Sequence, residues 1–116
     1  MPEPDLATRD CATADATLIA PDERDRHLRS LPAWQADPDG RAILRRFELR
    51  NFARAMDIAS LAAVLAQQQN HHPDLQLGWG YCVVRLTSHD AGGLTIRDMI
   101  WAARLDAMIR SAGIGS

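Results

Sequence analysis

Residues 70–98 read NHHPDLQLGWGYCVVRLTSHDAGGLTIRD and carry the clearest fold signals of this 116-residue chain. Between residues 75 and 88, side chains alternate with period two and β-branched residues are frequent, which predicts β-structure. Gly78 or Gly80 would break this segment into two strands. The tetrapeptide from Thr95 to Asp98 then has the form of a capping box, which predicts a helix that runs to about residue 111.

The segment before this stretch predicts another helix. Asn51 fits an N-cap, and the helix that it opens extends to about Gln69. Its apolar residues recur at helical spacing, and its many alanines would allow close approach to a sheet. The residues expected to be buried are Phe52, Ala55, Met56, Ala59, Ala63 and Ala66, with Ile58, Leu61 and Leu65 widening the stripe.

The N-terminal half predicts one helix and one hairpin. Residues 21–31 begin with a proline suited to a first turn and place acidic residues ahead of basic ones, which favours a short helix. His27 on this helix is expected to be solvated. The sequence DPDG at residues 37–40 predicts a turn between a strand near Trp34 and a second strand within residues 41–49.

The predicted order is helix-strand-strand-helix-strand-strand-helix. It indicates an α+β fold in which three helices pack on one face of a four-stranded antiparallel sheet. The last helix has two opposed apolar stripes, one containing Ile100 and the other Trp101. One stripe can cover the sheet, and we interpret the second as a contact surface of an oligomer.

Length and composition predict one domain, residues 21–112, after a flexible N-terminal tail, residues 1–20, that holds Cys11 as a free thiol. The formal charge of -2 argues against nucleic acid as the main partner. The sequence contains no apolar run of membrane-spanning length and no signal-peptide pattern, so no membrane association is expected. Two cysteines in 116 residues favour a reducing compartment, which we take to be the cytoplasm.

Three of the four histidines fall within residues 70–98, at positions 71, 72 and 89. Histidine exchanges protons near neutral pH, so these side chains are candidates for general acid and base catalysis. Pro73 pushes His72 out of helical geometry, and adjacent side chains on extended backbone diverge. Each histidine alone has a solvated or structural alternative, and Asp98 at the third helical position is also explained by capping.

Metal binding and nucleophilic catalysis are the competing site chemistries. His71, His72 and His89 with Asp74 or Asp90 offer enough ligands, but the spacing matches no zinc motif, and we expect no metal. Ser88 lacks a nucleophile-elbow sequence, and neither cysteine has an evident activating base.

Several of these positions together resemble the pterin-4a-carbinolamine dehydratase family. The likeness covers roughly residues 22–110, and the positions that carry it are Leu31 to Trp34, Arg46 to Leu49, His71, His72, Pro73, Trp79, His89, Gly92 to Thr95 and Asp98. The resemblance implies the same α+β fold, assembly into dimers or tetramers, and a reaction that needs no metal or cofactor.

The resemblance also implies a substrate and roles for side chains. The family removes water from 4a-hydroxytetrahydropterin and forms quinonoid dihydropterin, which requires an acid for the departing hydroxyl and a base for a ring-nitrogen proton. By this likeness His71 and His89 carry protons, His72 orients the pterin ring, and Asp98 steadies the site. Asn70, Pro73 and Trp79 are expected to bind substrate or support the site.

Two positions depart from the family pattern. Gln67 stands four residues before the first histidine, where members commonly have an ionisable residue, and Asn70 stands where some have aspartate. Losing both charges would leave the histidines fewer carboxylates to orient them. The alternative is therefore a weakly active or inactive dehydratase-like protein that assists assembly of a partner, since bacterial relatives encoded with α-carboxysomes look like assembly factors for Rubisco.

Overall fold

The computed structural model describes residues 5–114, within which three α-helices and four β-strands form one α+β unit. Their bounds are α1 Pro21–Arg29, β1 Gln35–Ala36, β2 Ile43–Glu48, α2 Phe52–Gln69, β3 Asp74–Gly78, β4 Tyr81–Leu86 and α3 Ile96–Ala112. Short 3-10 turns occur at Leu6–Thr8, Cys11–Thr13 and His89–Ala91. The predicted element order and fold class are confirmed.

The four strands form an antiparallel sheet in the order β1-β2-β4-β3. The central pair, β2 and β4, is in register from Ile43 opposite Leu86 to Phe47 opposite Cys82. β3 pairs with β4 and forms one edge, and the turn between them is Trp79-Gly80. Gly80 has a φ of +85°, a conformation that favours glycine, which confirms the expected break in this segment.

The helices cover one face of the sheet. The fully buried side chains of the central strands point toward them and are Ile43, Phe47, Cys82, Val84 and Leu86. Burial of each large apolar side chain contributes about 1.5–3 kcal/mol, so this face anchors the fold. The opposite face carries charged side chains: Arg46 pairs with Glu48 and lies over the Tyr81 ring.

α2 begins as predicted, but the face that it buries differs from the expected one. The Asn51 side chain accepts a hydrogen bond from the backbone N–H of Arg54 at 2.8 Å, which confirms the cap. The buried residues are Ala55, Ile58, Ala62, Leu65, Ala66 and Gln69. The predicted burial of Phe52, Met56 and Ala63 is wrong, since all three are exposed, Phe52 by 49% and Met56 by 45%. Apolar residues occupy well over half of the helix circumference, so periodicity alone left its rotation open.

Both apolar stripes of α3 are buried within the chain over the first three turns of the helix. Ile100 and Trp101 are each 0% exposed, because the sheet and α2 cover one side of the helix and residues 5–19 contact another. The second stripe is therefore not the oligomer surface that the sequence suggested. Residues 5–20 also differ from the expected tail, because Leu6, Ala7 and Ile19 pack against the core and Cys11 is buried. Residues 1–4 of the predicted tail lie outside the described residues.

His27 is the other correction in the N-terminal half. It is 5% exposed rather than solvated, and its Nε2 lies 3.8 Å from a Glu23 carboxylate oxygen. The N-terminal segment passes over this side of α1, and together they enclose a hollow of about 190 Å³ lined also by Ile19 and Ile96. The sequence could not reveal this burial, because it depends on where residues 5–20 lie.

The helices contain charged residues along their length and are not uniformly apolar. α3, for example, carries Arg97, Asp98, Arg104 and Asp106 within 17 residues. Within residues 5–114, no helix combines the length and the apolar character needed to cross a bilayer.

Candidate active site

The end of α2, the end of β4 and the start of α3 meet at one edge of the molecule. Together they line an open cleft of about 340 Å³, which we call the histidine cleft. It is lined by Asn70, His71, His72, Thr87, His89, Asp90 and Arg97. The structure thus brings together three histidines that are separated by up to 18 positions in sequence. The cleft falls in the size range of small-molecule sites.

Asn70 directs the chain from α2 into this cleft. It is the C-terminal cap of the helix and has a φ of 49° and a ψ of 41°, the left-handed conformation that commonly ends helices. Asparagine tolerates this conformation better than most residues other than glycine. The reversal ends α2 and lets His71 approach the start of α3.

His71 is anchored by Asp98. Its Nε2 lies 2.6 Å from Asp98 Oδ1, and the side chains are 10% and 0% exposed. Because a carboxylate only accepts hydrogen bonds, His71 donates through Nε2–H and keeps Nδ1 for another partner. A buried carboxylate that fixes the tautomer and direction of a histidine is a recurrent arrangement in acid–base catalysis.

Asp98 is in turn held from two sides. Its Oδ2 accepts a hydrogen bond of 2.9 Å from the Ser88 hydroxyl and one of 3.0 Å from the backbone N–H of Thr95. Thr95 completes a capping box with Asp98, and its hydroxyl lies 2.9 Å from that of Ser88. Capping and a histidine contact, which were alternatives in the sequence, are therefore both made by this one carboxylate.

His72 diverges from His71. Its Nε2 lies 3.4 Å from the Gln67 side-chain nitrogen, on the exposed side of α2. A second hollow of about 230 Å³ begins here, and it is lined by Ala62, Ala63, Ala66, Gln67, His72, Pro73 and Leu75. His72 thus borders both spaces, and Gln67 contacts this histidine rather than His71.

His89 reaches the cleft from the loop after β4. It begins a 3-10 turn whose ends are joined by a hydrogen bond of 2.9 Å from the Ser88 N–H to the Gly93 carbonyl oxygen. Gly92 closes the turn with a φ of +77°. The turn leaves His89 exposed at the rim while Ser88 is fully buried below it.

Two charged residues at the rim, Asp90 and Arg97, were not predicted as catalytic or substrate-binding residues, although Asp90 was considered as a metal ligand. Arg97 donates to Asp90 at 2.7 Å and to the Thr95 hydroxyl at 3.2 Å. The hydrogen bond from Arg97 lowers the pKa of Asp90, and His71 adds a smaller effect in the same direction. Asp90 and Arg97 are seven residues apart across a loop, so no sequence periodicity predicts that they pair. The position of Asp90 directly after His89 was the available sequence signal.

Trp79 lies away from the cleft. It occupies the turn at the far end of β3 and is 73% exposed. β3 starts beside the histidines and runs roughly 15 Å before this turn. A single chain therefore does not place Trp79 with the histidines. The predicted break at Gly78 or Gly80 already put Trp79 at a turn, whereas its assignment to the site came from the family likeness.

Among residues 5–114, the histidines, cysteines and carboxylates form no group of three placed to hold a metal ion. His71 uses Nε2 for Asp98 and His72 points toward Gln67, so the two rings do not converge. The cleft therefore combines one carboxylate-anchored histidine with two more exposed ones, which suits proton exchange with a bound molecule.

Comparison with protein families gives a match over most of the chain. A family model described as pterin 4 alpha carbinolamine dehydratase matches residues 17–108. A relative from Paracoccus denitrificans strain Pd 1222 with a provisional pterin-4-alpha-carbinolamine dehydratase name is 42% identical over 92 residues, which are 79% of this chain and 86% of the relative. A second relative with the same provisional name, from Halorhodospira halophila, is 40% identical over 93 residues, which are 78% of this chain and 85% of the relative.

Two solved structures share the fold. The transcriptional coactivator/pterin dehydratase from Brucella melitensis has a TM-score of 0.73 at 29% identity, covering 78% of this chain and 96% of that one. A pterin dehydratase-like protein identified as a RuBisCO assembly factor in the α-carboxysome has a TM-score of 0.56 at 22% identity. The match covers 66% of this chain and 88% of that one. The second likeness extends to the fold alone.

Proposed function

This chain belongs to the pterin-4a-carbinolamine dehydratase family, and from this premise we propose that it removes water from 4a-hydroxytetrahydropterin to give quinonoid dihydropterin. The observation that carries the proposal is the contact of 2.6 Å between His71 and the buried Asp98 inside a cleft shared with His72 and His89. This arrangement provides a fixed proton acceptor beside two further titratable rings.

His71 is the proposed base. Asp98 holds its Nε2–H, so the lone pair on Nδ1 accepts the proton that leaves the pterin ring nitrogen. The Asp98 carboxylate then faces an imidazolium, a favourable charge pair that needs no movement of either side chain.

His89 is the proposed acid, and His72 orients the ring. His89 stands on the exposed rim, where it can recover a proton from solvent after it protonates the departing C4a hydroxyl. His72 borders both the cleft and the apolar hollow beside Pro73 and Leu75. The products are water and quinonoid dihydropterin. His71 has gained one proton and His89 has lost one, so the step balances.

The experiment is dehydration of freshly generated 4a-hydroxytetrahydropterin, followed by ultraviolet absorbance against buffer alone. The wild type is expected to accelerate the reaction, and His89→Ala is expected to lose about 10²–10⁴-fold in kcat. Gln68→Ala is the matched control, since Gln68 is exposed on the last turn of α2 outside the cleft. Wild-type protein that is folded and no faster than buffer would overturn the proposal.

A second candidate is a non-catalytic assembly role for a protein partner such as Rubisco. It is favoured by one observation: His72 contacts the uncharged Gln67, so the family's ionisable group is absent from that side of the cleft. This role predicts that substitutions of His71 and His89 leave partner assembly unchanged. Assembly of Rubisco with and without this protein separates it from the dehydratase.

We also propose a homodimer or homotetramer. An exposed patch, called the apolar edge patch, runs along α2 and the adjoining edge strand β3 and consists of Phe52, Met56, Ala63 and Leu75. β3 pairs with β4 on one side, so its other side can accept a further strand. Joining two such edges would cover the patch and extend the sheet.

A further inference from the structure

The N-terminal segment contacts the ends of α2 and α3 from which His71 and Asp98 extend. Residues 5–16 precede the part of the chain that matches the family, yet Cys11 is 4% exposed beneath the surface. Both 3-10 turns of this segment contact α3. Residues 9–11, called the brace below, make the polar contacts of this packing.

Asp10 and Cys11 of the brace hold the last residue of α2. Gln69 is 8% exposed, and its side-chain oxygen accepts a hydrogen bond of 2.8 Å from the backbone N–H of Cys11. Its side-chain nitrogen donates to Asp10 at 3.3 Å. Gln69 stands two residues before His71, so these bonds fix the point from which the chain turns into the cleft.

The same residues, together with Arg9, also hold α3. The Cys11 thiol donates to the carbonyl oxygen of Arg97 at 3.4 Å, one residue before Asp98. Arg104 donates to the Arg9 carbonyl oxygen at 2.6 Å and to Asp10 at 2.9 Å. Burial raises the pKa of the Cys11 thiol to about 11, and the charge of Asp98 contributes next, which agrees with their proximity.

The brace therefore links the two segments that carry His71 and Asp98. We propose that it sets the separation of these two side chains, and that Gln69, through its bonds to the brace, is a positioning residue for the reaction. A buried amide with two polar contacts to a separate segment resists displacement, because losing either contact leaves a buried polar group unsatisfied. The catalytic part of this inference rests on the proposed dehydratase function.

The test compares Gln69→Ala with Gln68→Ala, its exposed neighbour on the same helical turn. Gln69→Ala is expected to lower kcat about tenfold with KM within about twofold, since small misplacements of a catalytic group cost rate more than binding. The second readout is ¹⁵N NMR of the histidine rings. The His71 Nε2–H signal should be sharp in wild type and in Gln68→Ala, and broadened by solvent exchange in Gln69→Ala.

A surface variant covers the case in which Gln69→Ala does not fold. Asp10 is exposed, so Asp10→Ala leaves the core intact and removes the contacts to Gln69 and Arg104. It should change the His71 signal in the same direction and lower kcat about threefold. A His71 signal identical to that of wild type in Gln69→Ala, or in Asp10→Ala alone if Gln69→Ala does not fold, would overturn the proposed role of the brace. A wild type without dehydratase activity would overturn the proposed function while the NMR comparison still decides the positioning role.

Discussion

At the scale of single residues, Asp98 joins His71 to the loop after β4 and to the start of α3. It accepts hydrogen bonds from Ser88, Thr95 and His71 while it is completely buried. The acceptor-only character of the carboxylate dictates that His71 donates to it, and hence which ring nitrogen faces a ligand.

Asp98→Asn should therefore inactivate the protein without unfolding it. The amide nitrogen would face His71 Nε2 and donate to it, which moves the ring proton to Nδ1 and removes the base. We expect kcat to fall about 10²–10⁴-fold, with the tautomer change visible by ¹⁵N NMR. The control is Asp106→Asn, since Asp106 also lies on α3 and accepts from Trp34 at 3.0 Å, but far from the cleft. Equal losses of kcat in the two variants would contradict the role of Asp98.

Cys11 gives a prediction for alkaline pH. Burial, with the Asp98 charge as the next cause, raises its pKa from 9.0 to about 11. The folded protein thus retains the thiol proton more firmly than the unfolded chain, so the associated stability is complete below about pH 9 and is lost as the pH rises toward 11. Urea unfolding at pH 8 to 11 should show a steeper decline for wild type than for Cys11→Ala. Parallel declines would contradict the burial of this thiol.

At the scale of elements, Asn70 links helix termination to the site. Its left-handed backbone conformation explains the residue type without a catalytic role for the amide. The family likeness predicted Asn70 as a site residue but not this conformation, because φ depends on how α2 ends against α3.

Two substitutions separate the backbone role of Asn70 from a binding role. Asn70→Gly should keep stability and kcat near wild type, because glycine adopts a φ of 49° without strain. Asn70→Ala should cost about 1 kcal/mol of unfolding free energy, measured by urea titration. Loss of kcat in a stable Asn70→Gly protein would show instead that the amide binds the substrate.

The helices also show what the sequence could and could not establish. Capping residues Asn51 and Thr95 were identified correctly because their signals are local. The rotation of α2, the burial of His27 and the partner of the second stripe on α3 were not, because each depends on distant segments. The three histidines of the cleft were predicted by residue type and family likeness, whereas the place of Arg97 beside them depends on the chain path. Trp79 was assigned to the site by the family likeness, although the predicted hairpin already put it at a turn.

At the scale of the whole molecule, residues 5–19 change which surfaces remain available. They contact α3, so the large exposed apolar side chains lie elsewhere in the described chain, mainly on α2 and along the β3–β4 hairpin. The oligomer surface that the sequence placed on α3 is therefore expected at the apolar edge patch instead.

The variant Phe52→Glu/Met56→Glu should dissociate the assembly. Both side chains are about half exposed in the single chain, so charges there do not disturb its core but would be buried in an oligomer. Sedimentation velocity should give a dimer or tetramer for wild type and a monomer for the variant. Gln68→Glu, on the same helix outside the patch, should sediment as wild type does. A monomeric wild type would contradict the proposed assembly.

The most direct test of the central claim is chemical rescue of His71→Gly by imidazole in the dehydration assay. If His71 exchanges a proton with the pterin, the variant should be nearly inactive, and added imidazole should restore the rate at least about tenfold by occupying the vacated space beside Asp98. The same addition should leave the wild-type rate unchanged. A His71→Gly protein as active as wild type, or a folded wild type no faster than buffer, would contradict the account.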